Sequence, residues 1–416
     1  VIQNIDASGE RACRRTAAGM WCPGLATLLA VFAVSLSTAA AATNRASDFM
    51  AQLSPADRET FQAWYSAQTF HSAAVDAYWS RVAKLRKARR ARLRRRQLVT
   101  PRNYATEFPP KYAGPSLPKS LSQQWSAFRN RGKRPRRRST LPGLKDFLAA
   151  SRKYYDFAPE RIPERLFKKR YAAEALRHGL TKEQVIRVYA LETGGLGTAD
   201  MVAGIHPIRK TGRPISSAMG YAQLLAANSL NVLQKHGRTF ETRLERLYRA
   251  ATTDARRDVL ARKLTSLRRM RAYVNKKPRR WSYLQKVSRT GPGRGVHALN
   301  IDGDIGPWMQ VIKLRDVKRY AERAGRTVLT PEQLELMNLA GPGTGLEMMT
   351  ALGSQMPTSN FFSRRAYMRN TIVRGRTGAG LLKALGDRMD VNQRNSGARE
   401  FAQVFDEIMQ VRQARQ

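Results

Sequence analysis

The chain has 416 residues, 42% of them hydrophobic, enough for a core and for about two to three domains of ordinary size. Lys and Arg number 75 against 31 Asp and Glu, a net charge of +44, so its partners are expected to be polyanions, while the charge leaves the fold open. Both cysteines, Cys13 and Cys22, lie near the N-terminus and the five histidines are dispersed; this excludes a disulfide framework from the remainder, gives no pattern for a metal site, and implies no cofactor.

Taken in order, Arg11, Arg14 and Arg15 precede an apolar run from Leu25 to Leu36, and Ala39 to Ala42 offer small-residue cleavage sites. That three-part build predicts a secretory signal over 1–42, cleaved near Ala42, or an N-terminal anchor if it is retained. Mass spectrometry of a secreted or periplasmic fraction checks this: a mature start near Ala42 is expected, and an uncleaved cytoplasmic protein would contradict it. From Ser54 to Arg96 the pattern is helical, with Phe61, Trp64 and Tyr65 on one face and a densely basic end that includes Arg92, Arg94, Arg95 and Arg96. Pro109 to Pro118 reads as a linker, and Arg131 to Arg138 form a second basic run. Leu141 to Tyr155 predicts a short amphipathic helix and Ala158 to Pro163 a boundary.

The next stretch carries chemistry. Thr181 with Gln184 three residues on is a capping box, Val185, Val188, Tyr189 and Glu192 recur at helical spacing, and Gly194 and Gly195 stop the helix. Glu192 is thereby placed in a last turn on an apolar face. Both the helix C-terminus and apolar surroundings disfavour a carboxylate, so its acid form is expected to persist towards neutral pH, as a general acid requires. Beyond it, Phe240 to Val274 predicts a helical hairpin broken near Thr252 to Asp254, with a basic outer face followed by Tyr273, Trp281 and Tyr283 among lysines and arginines. The glycine runs Gly291 to Gly295 and Gly341 to Gly345 read as turns, because neither has a P-loop ending.

Three segments in order, LETGG at Leu191 to Gly195, SAMGYAQLL at Ser217 to Leu225 and MNLAGPGTG at Met337 to Gly345, resemble the active-site sequence of the soluble lytic transglycosylases of the lysozyme-like superfamily. The resemblance covers roughly residues 167–349. It implies a lysozyme-like catalytic domain over 164–355 with an insertion at about 235–297; sparse strand signals make the fold mainly α, and composition and periodicity place a basic, partly helical region over 43–163 before that domain and a helical tail over 356–416 after it. Glu192 falls on the family's catalytic glutamate. Thr193, Gly220, Tyr221, Gln223 and Asn338 fall on positions expected to bind substrate, with Gln310 in Trp308-Met309-Gln310 the competitor of Gln223. Thr193, Ala222, Asn338 and Leu339 depart from the family's usual residues. The implied substrate and partner is peptidoglycan, and the implied location periplasmic or secreted. The reading from another class is a non-catalytic exported binder of peptidoglycan or another polyanion.

Overall fold

The computed structural model describes residues 45–132 and 141–414. The signal-like segment, both cysteines and Arg136, Arg137 and Arg138 lie outside the described residues. The protein is mainly α-helical, and among the described residues extended pairing is limited to isolated bridges such as Val202 with Met219. It divides into two compact units. Among the described residues no helix is long and apolar enough to cross a membrane.

One unit comprises 45–95 and 107–132. Its long helix α1 (Pro55–Arg94) starts on Ser54, whose hydroxyl accepts the amide of Asp57. The first turns of α1 and the helix α2 (Lys119–Asn130) close around Phe49, Phe61 and Trp125, whose rings sit 4.9–5.1 Å apart. At the basic end of α1 Arg89 is still buried, whereas Leu93 is exposed among the last arginines.

The other unit comprises 96–106 and 141–414. Its principal helices are α3 (Leu144–Tyr155), α4 (Glu164–Arg177), α5 (Lys182–Thr193), α6 (Ala226–Arg249), α7 (Asp254–Asn275), α8 (Gly291–His297), α9 (Ile305–Arg323), α10 (Pro331–Ala340), α11 (Pro342–Met348), α12 (Gly378–Asn392) and α13 (Ser396–Gln413). Helix α9 is the spine, because its buried apolar residues enter two cores. Val311, Leu314 and Val317 join α4, α5, α10, α12 and α13 in one core, whereas Trp308, Met309 and Ile312 join α6, α7 and α8 in a second. The expected hairpin is α6–α7, broken between Arg249 and Asp254 with Thr253 as cap.

Two readings differ from the sequence expectation. Helix α3 belongs to the same unit as α4, since it packs on α8. The two glycine runs are helical beyond their starts: Gly291 to Gly295 lie in α8, and Pro342 to Gly345 open α11 after Gly341, which turns the chain at φ +89°. In α8 the glycines permit close helix packing: a Cβ on Gly291 would lie 2.4 Å from the Tyr154 ring, and one on Gly295 2.9 Å from that of Tyr155. The C-terminal segment is helical, and its Met389, Phe401, Val404 and Phe405 are buried in the core of α4 and α5.

A buried charge network ties α4 to α6. Both Glu174 oxygens accept from Arg243 at 2.6 Å, and Oε1 meets His178 Nε2 at 2.8 Å. Burial alone would push this carboxyl up, but the hydrogen bonds and charges of Arg243 and His178 outweigh it and hold the pKa at about 2, against 4.5 ordinarily. A depressed carboxyl contributes stability that is present above its unfolded value and lost as pH falls through its folded value. Arg243→Met is therefore expected to move acid unfolding, followed by circular dichroism between pH 5 and 2 (roughly the Glu174 window), to a higher midpoint pH. An unchanged midpoint would contradict this role.

Candidate active site

Helix α5 forms where the sequence places it. Thr181 Oγ1 accepts the Gln184 amide at 3.1 Å, the Gln184 side chain accepts the Thr181 amide at 3.2 Å, and Gly194 ends the helix at φ +66°. The far end is finished by the C-terminal segment. Asn392 Nδ2 donates to Ala190 O at 3.0 Å and Asn395 Nδ2 to Gly194 O at 2.8 Å, which satisfies carbonyls that the helix leaves open. Gly195 is required there: at φ +68°, a Cβ would lie 2.0 Å from Asn392 O. An added Cβ on Gly194 meets nothing within 4 Å, so the chain borders open space two residues after Glu192.

Glu192 itself is 9% exposed. Asn338, from the third segment and 146 residues away, brings Nδ2 to 3.4 Å from Glu192 Oε1 and donates to Glu335 Oε2 at 3.0 Å. Asn338 thus bridges the two carboxyl groups. The Lys313 ammonium, on α9, is buried beside them without a hydrogen-bond partner among the described residues. Burial pushes Glu192 up, opposed by the charge of Lys313. Burial, and then the neighbouring Glu192 charge, push Glu335 well above the carboxylate range. Burial lowers Lys313, while the two glutamates oppose that shift. One charged carboxylate balanced by one ammonium, with the other carboxyl neutral, is the arrangement that leaves least charge uncompensated. Glu335 and Lys313 are the residues that sequence reading missed. The only local signal was Glu335 one helical turn before Asn338.

The second segment is brought to α5 but faces inward. Gly220 adopts φ +79°, and a Cβ there would lie 2.5 Å from the Gln310 amide. Gln310 Oε1 accepts the Ala222 amide at 3.2 Å and its Nε2 donates to Asn300 O at 3.0 Å. Gln223, fully buried at φ +41°, donates from Nε2 to Gly220 O at 2.8 Å. The two competing glutamines thus brace one turn, from opposite sequence positions. Tyr221 does not line a cleft: it is 1% exposed, its ring meets Phe167, Tyr171, Tyr189 and Phe401, and its hydroxyl donates to Glu164. Thr193 turns its hydroxyl back onto Tyr189 O at 2.7 Å. Ala222 and Leu339 are core residues. Asp200, the nearest acid on the loop side, is engaged by Arg161 at 2.8 Å and by the Thr198 hydroxyl. Among the described residues no group of three or more His, Cys, Asp or Glu side chains could hold a metal ion.

No family model, curated protein or solved structure matches the chain.

Proposed function

We propose that the chain is an exported, lysozyme-like peptidoglycan lytic transglycosylase with Glu192 as its single general acid and base. The observation that carries this reading is the meeting of the first and third resembling segments: a buried glutamate at a helix end, with its acid form favoured, touched by Asn338. In the proposed reaction Glu192 protonates the glycosidic oxygen between N-acetylmuramic acid and N-acetylglucosamine as the bond to C1 breaks through an oxocarbenium-like state. The same carboxylate then takes the proton of the muramoyl C6 hydroxyl, whose oxygen closes on C1 to give the 1,6-anhydro ring. No water enters, so a second carboxylate to activate one is not needed. Zymography in gels containing purified wall tests the activity, with clearing expected for the wild type and none for Glu192→Gln.

A second reading, a non-catalytic binder of wall or another polyanion on the same scaffold, is favoured by a different observation. Thr193, Tyr221 and Gln223 direct their polar groups to the protein's own backbone and core. Absence of clearing by a folded, wall-binding wild type would establish that reading.

Under either reading the basic runs govern affinity for the wall. Envelope polymers carry carboxylates, and exposed cations attract them over a Debye length of about 8 Å at physiological salt. Neutralising Arg92, Arg94, Arg95 and Arg96 together with Arg136, Arg137 and Arg138 is expected to reduce co-sedimentation with isolated wall. Added salt should do the same to the wild type, and turnover of a short soluble glycan should stay near the wild-type rate. Wall binding indifferent to both would contradict an electrostatic anchor.

A further inference from the structure

The site holds more ionisable groups than one general acid requires. Glu335 is 2% exposed and Asn338 3%, and Asn338 Nδ2 lies within 3.4 Å of one carboxyl and 3.0 Å of the other. Two buried carboxyl groups that share one amide donor cannot both be charged without a large cost, so one of them carries a proton. The Lys313 side-chain nitrogen is buried with no hydrogen bond among the described residues, and the charges that act on it are those of Glu192 and Glu335. Other charged groups on the helices packed against α5 have partners of their own. On α4, Glu164 accepts from Tyr221 and Lys168 binds Glu400 of α13; on α10 and α12, Glu332 and Asp390 bind Arg187; on α13, Asp406 binds Lys182.

We propose that Glu192 and Glu335 act as one acid, a carboxyl–carboxylate pair holding a single shared proton against the Lys313 ammonium, which makes Glu335 and Lys313 positioning residues for the protonation of the glycosidic oxygen. This rests on the transglycosylase reading for its substrate, though not for the pair itself. In the cycle, the shared proton leaves through Glu192 to the glycosidic oxygen as the C1–O bond breaks. For that interval both carboxylates are charged and Lys313 offsets one of them. The C6 oxygen then bonds to C1, and its proton returns to Glu192, which restores the pair. The second carboxylate raises the demand for a proton and the lysine lowers it, so the two residues set the ionisation of Glu192 from opposite sides.

Opposite signs make the test specific. Removing the neighbouring acid in Glu335→Gln leaves Glu192 alone with Lys313, which favours its charged form. The alkaline limb of kcat/KM on a soluble glycan is expected to move to lower pH. Removing the cation in Lys313→Met is expected to move the same limb to higher pH, each by about one unit, a tenfold change in rate on the limb. Carboxyl-labelled glutamate NMR of the full chain provides a readout independent of activity. With Glu192→Gln and Glu335→Gln used for assignment, the two wild-type signals are expected to titrate together in two steps. Two independent single-step titrations, or limbs that stay fixed or move in the same direction, would overturn the proposal. If Lys313→Met does not fold, the Glu335→Gln limb and the wild-type titration decide. If no protein cleaves the wall, the transglycosylase reading fails while the NMR titration still decides whether the pair exists.

Discussion

Glu192→Gln is expected to remove cleavage of purified peptidoglycan, with a loss of about 10²–10⁴ in rate, the usual contribution of a positioned general acid. The amide keeps the shape of the carboxyl. Its oxygen still accepts from Asn338 Nδ2, now 3.4 Å away, so the end of α5 and the contact with α10 are retained. What the amide cannot do is give up a proton and take one back, and the proposed reaction asks for both from the same atom set. The thermal midpoint should therefore stay near that of the wild type while activity disappears. A variant with full activity would remove Glu192 from the mechanism.

The largest effect on stability is expected at Lys263, far from any resembling segment. Its ammonium is 3% exposed and lies 2.5 Å from Asp304 Oδ2, 3.0 Å from Asp302 Oδ2 and 2.5 Å from Glu160 Oε2. Asp302 is fully buried, and its Oδ1 accepts the amides of Asp304 and Ile305 at 3.0 Å, so it also starts the spine helix α9. Lys263→Met keeps the length and packing of the side chain but leaves Asp302 without its ammonium, while Arg256 and Arg170 still reach Asp304. Breaking one partner of a buried ion pair costs about 3–5 kcal/mol, and that loss is expected in urea unfolding. Burial would lower the lysine, but the charges of Asp302 and Asp304 raise it above its ordinary 10.5. Its contribution is thus fully present below that value and is lost as pH rises through the folded one. The deficit of the variant should be steady across neutral pH. Lys383→Met, which removes an exposed pair with Asp387, should leave stability nearly unchanged. A Lys263→Met protein as stable as Lys383→Met would contradict the assignment.

Local signals in the sequence located what local forces determine. The capping box at Thr181, the stop at Gly194, the hairpin break before Asp254 and the buried position of Glu192 all depend on residues within a turn or two of each other. Contacts made across long separations were not legible. Nothing near Lys313 indicates that its ammonium faces Glu192, and nothing near Asn392 indicates that it finishes α5. Tyr221 illustrates how a motif position misleads: an aromatic beside a glycine turn serves a cleft or a core equally well, and here four rings and Glu164 take it into the core. The glycine runs were misread for a related reason. Glycine usually marks a turn, but in α8 it is demanded by the rings of Tyr154 and Tyr155 pressing on a helix.

The measurement closest to the central claim is the chemistry of the released ends. Purified peptidoglycan is digested with the wild-type protein, and the muropeptides are analysed by mass spectrometry. Cleavage in which the C6 hydroxyl closes on C1 predicts 1,6-anhydromuramoyl ends, each lighter by one water than a hydrolysed end. Reducing muramoyl ends, or no released fragments from a folded protein that binds the wall, would contradict the account.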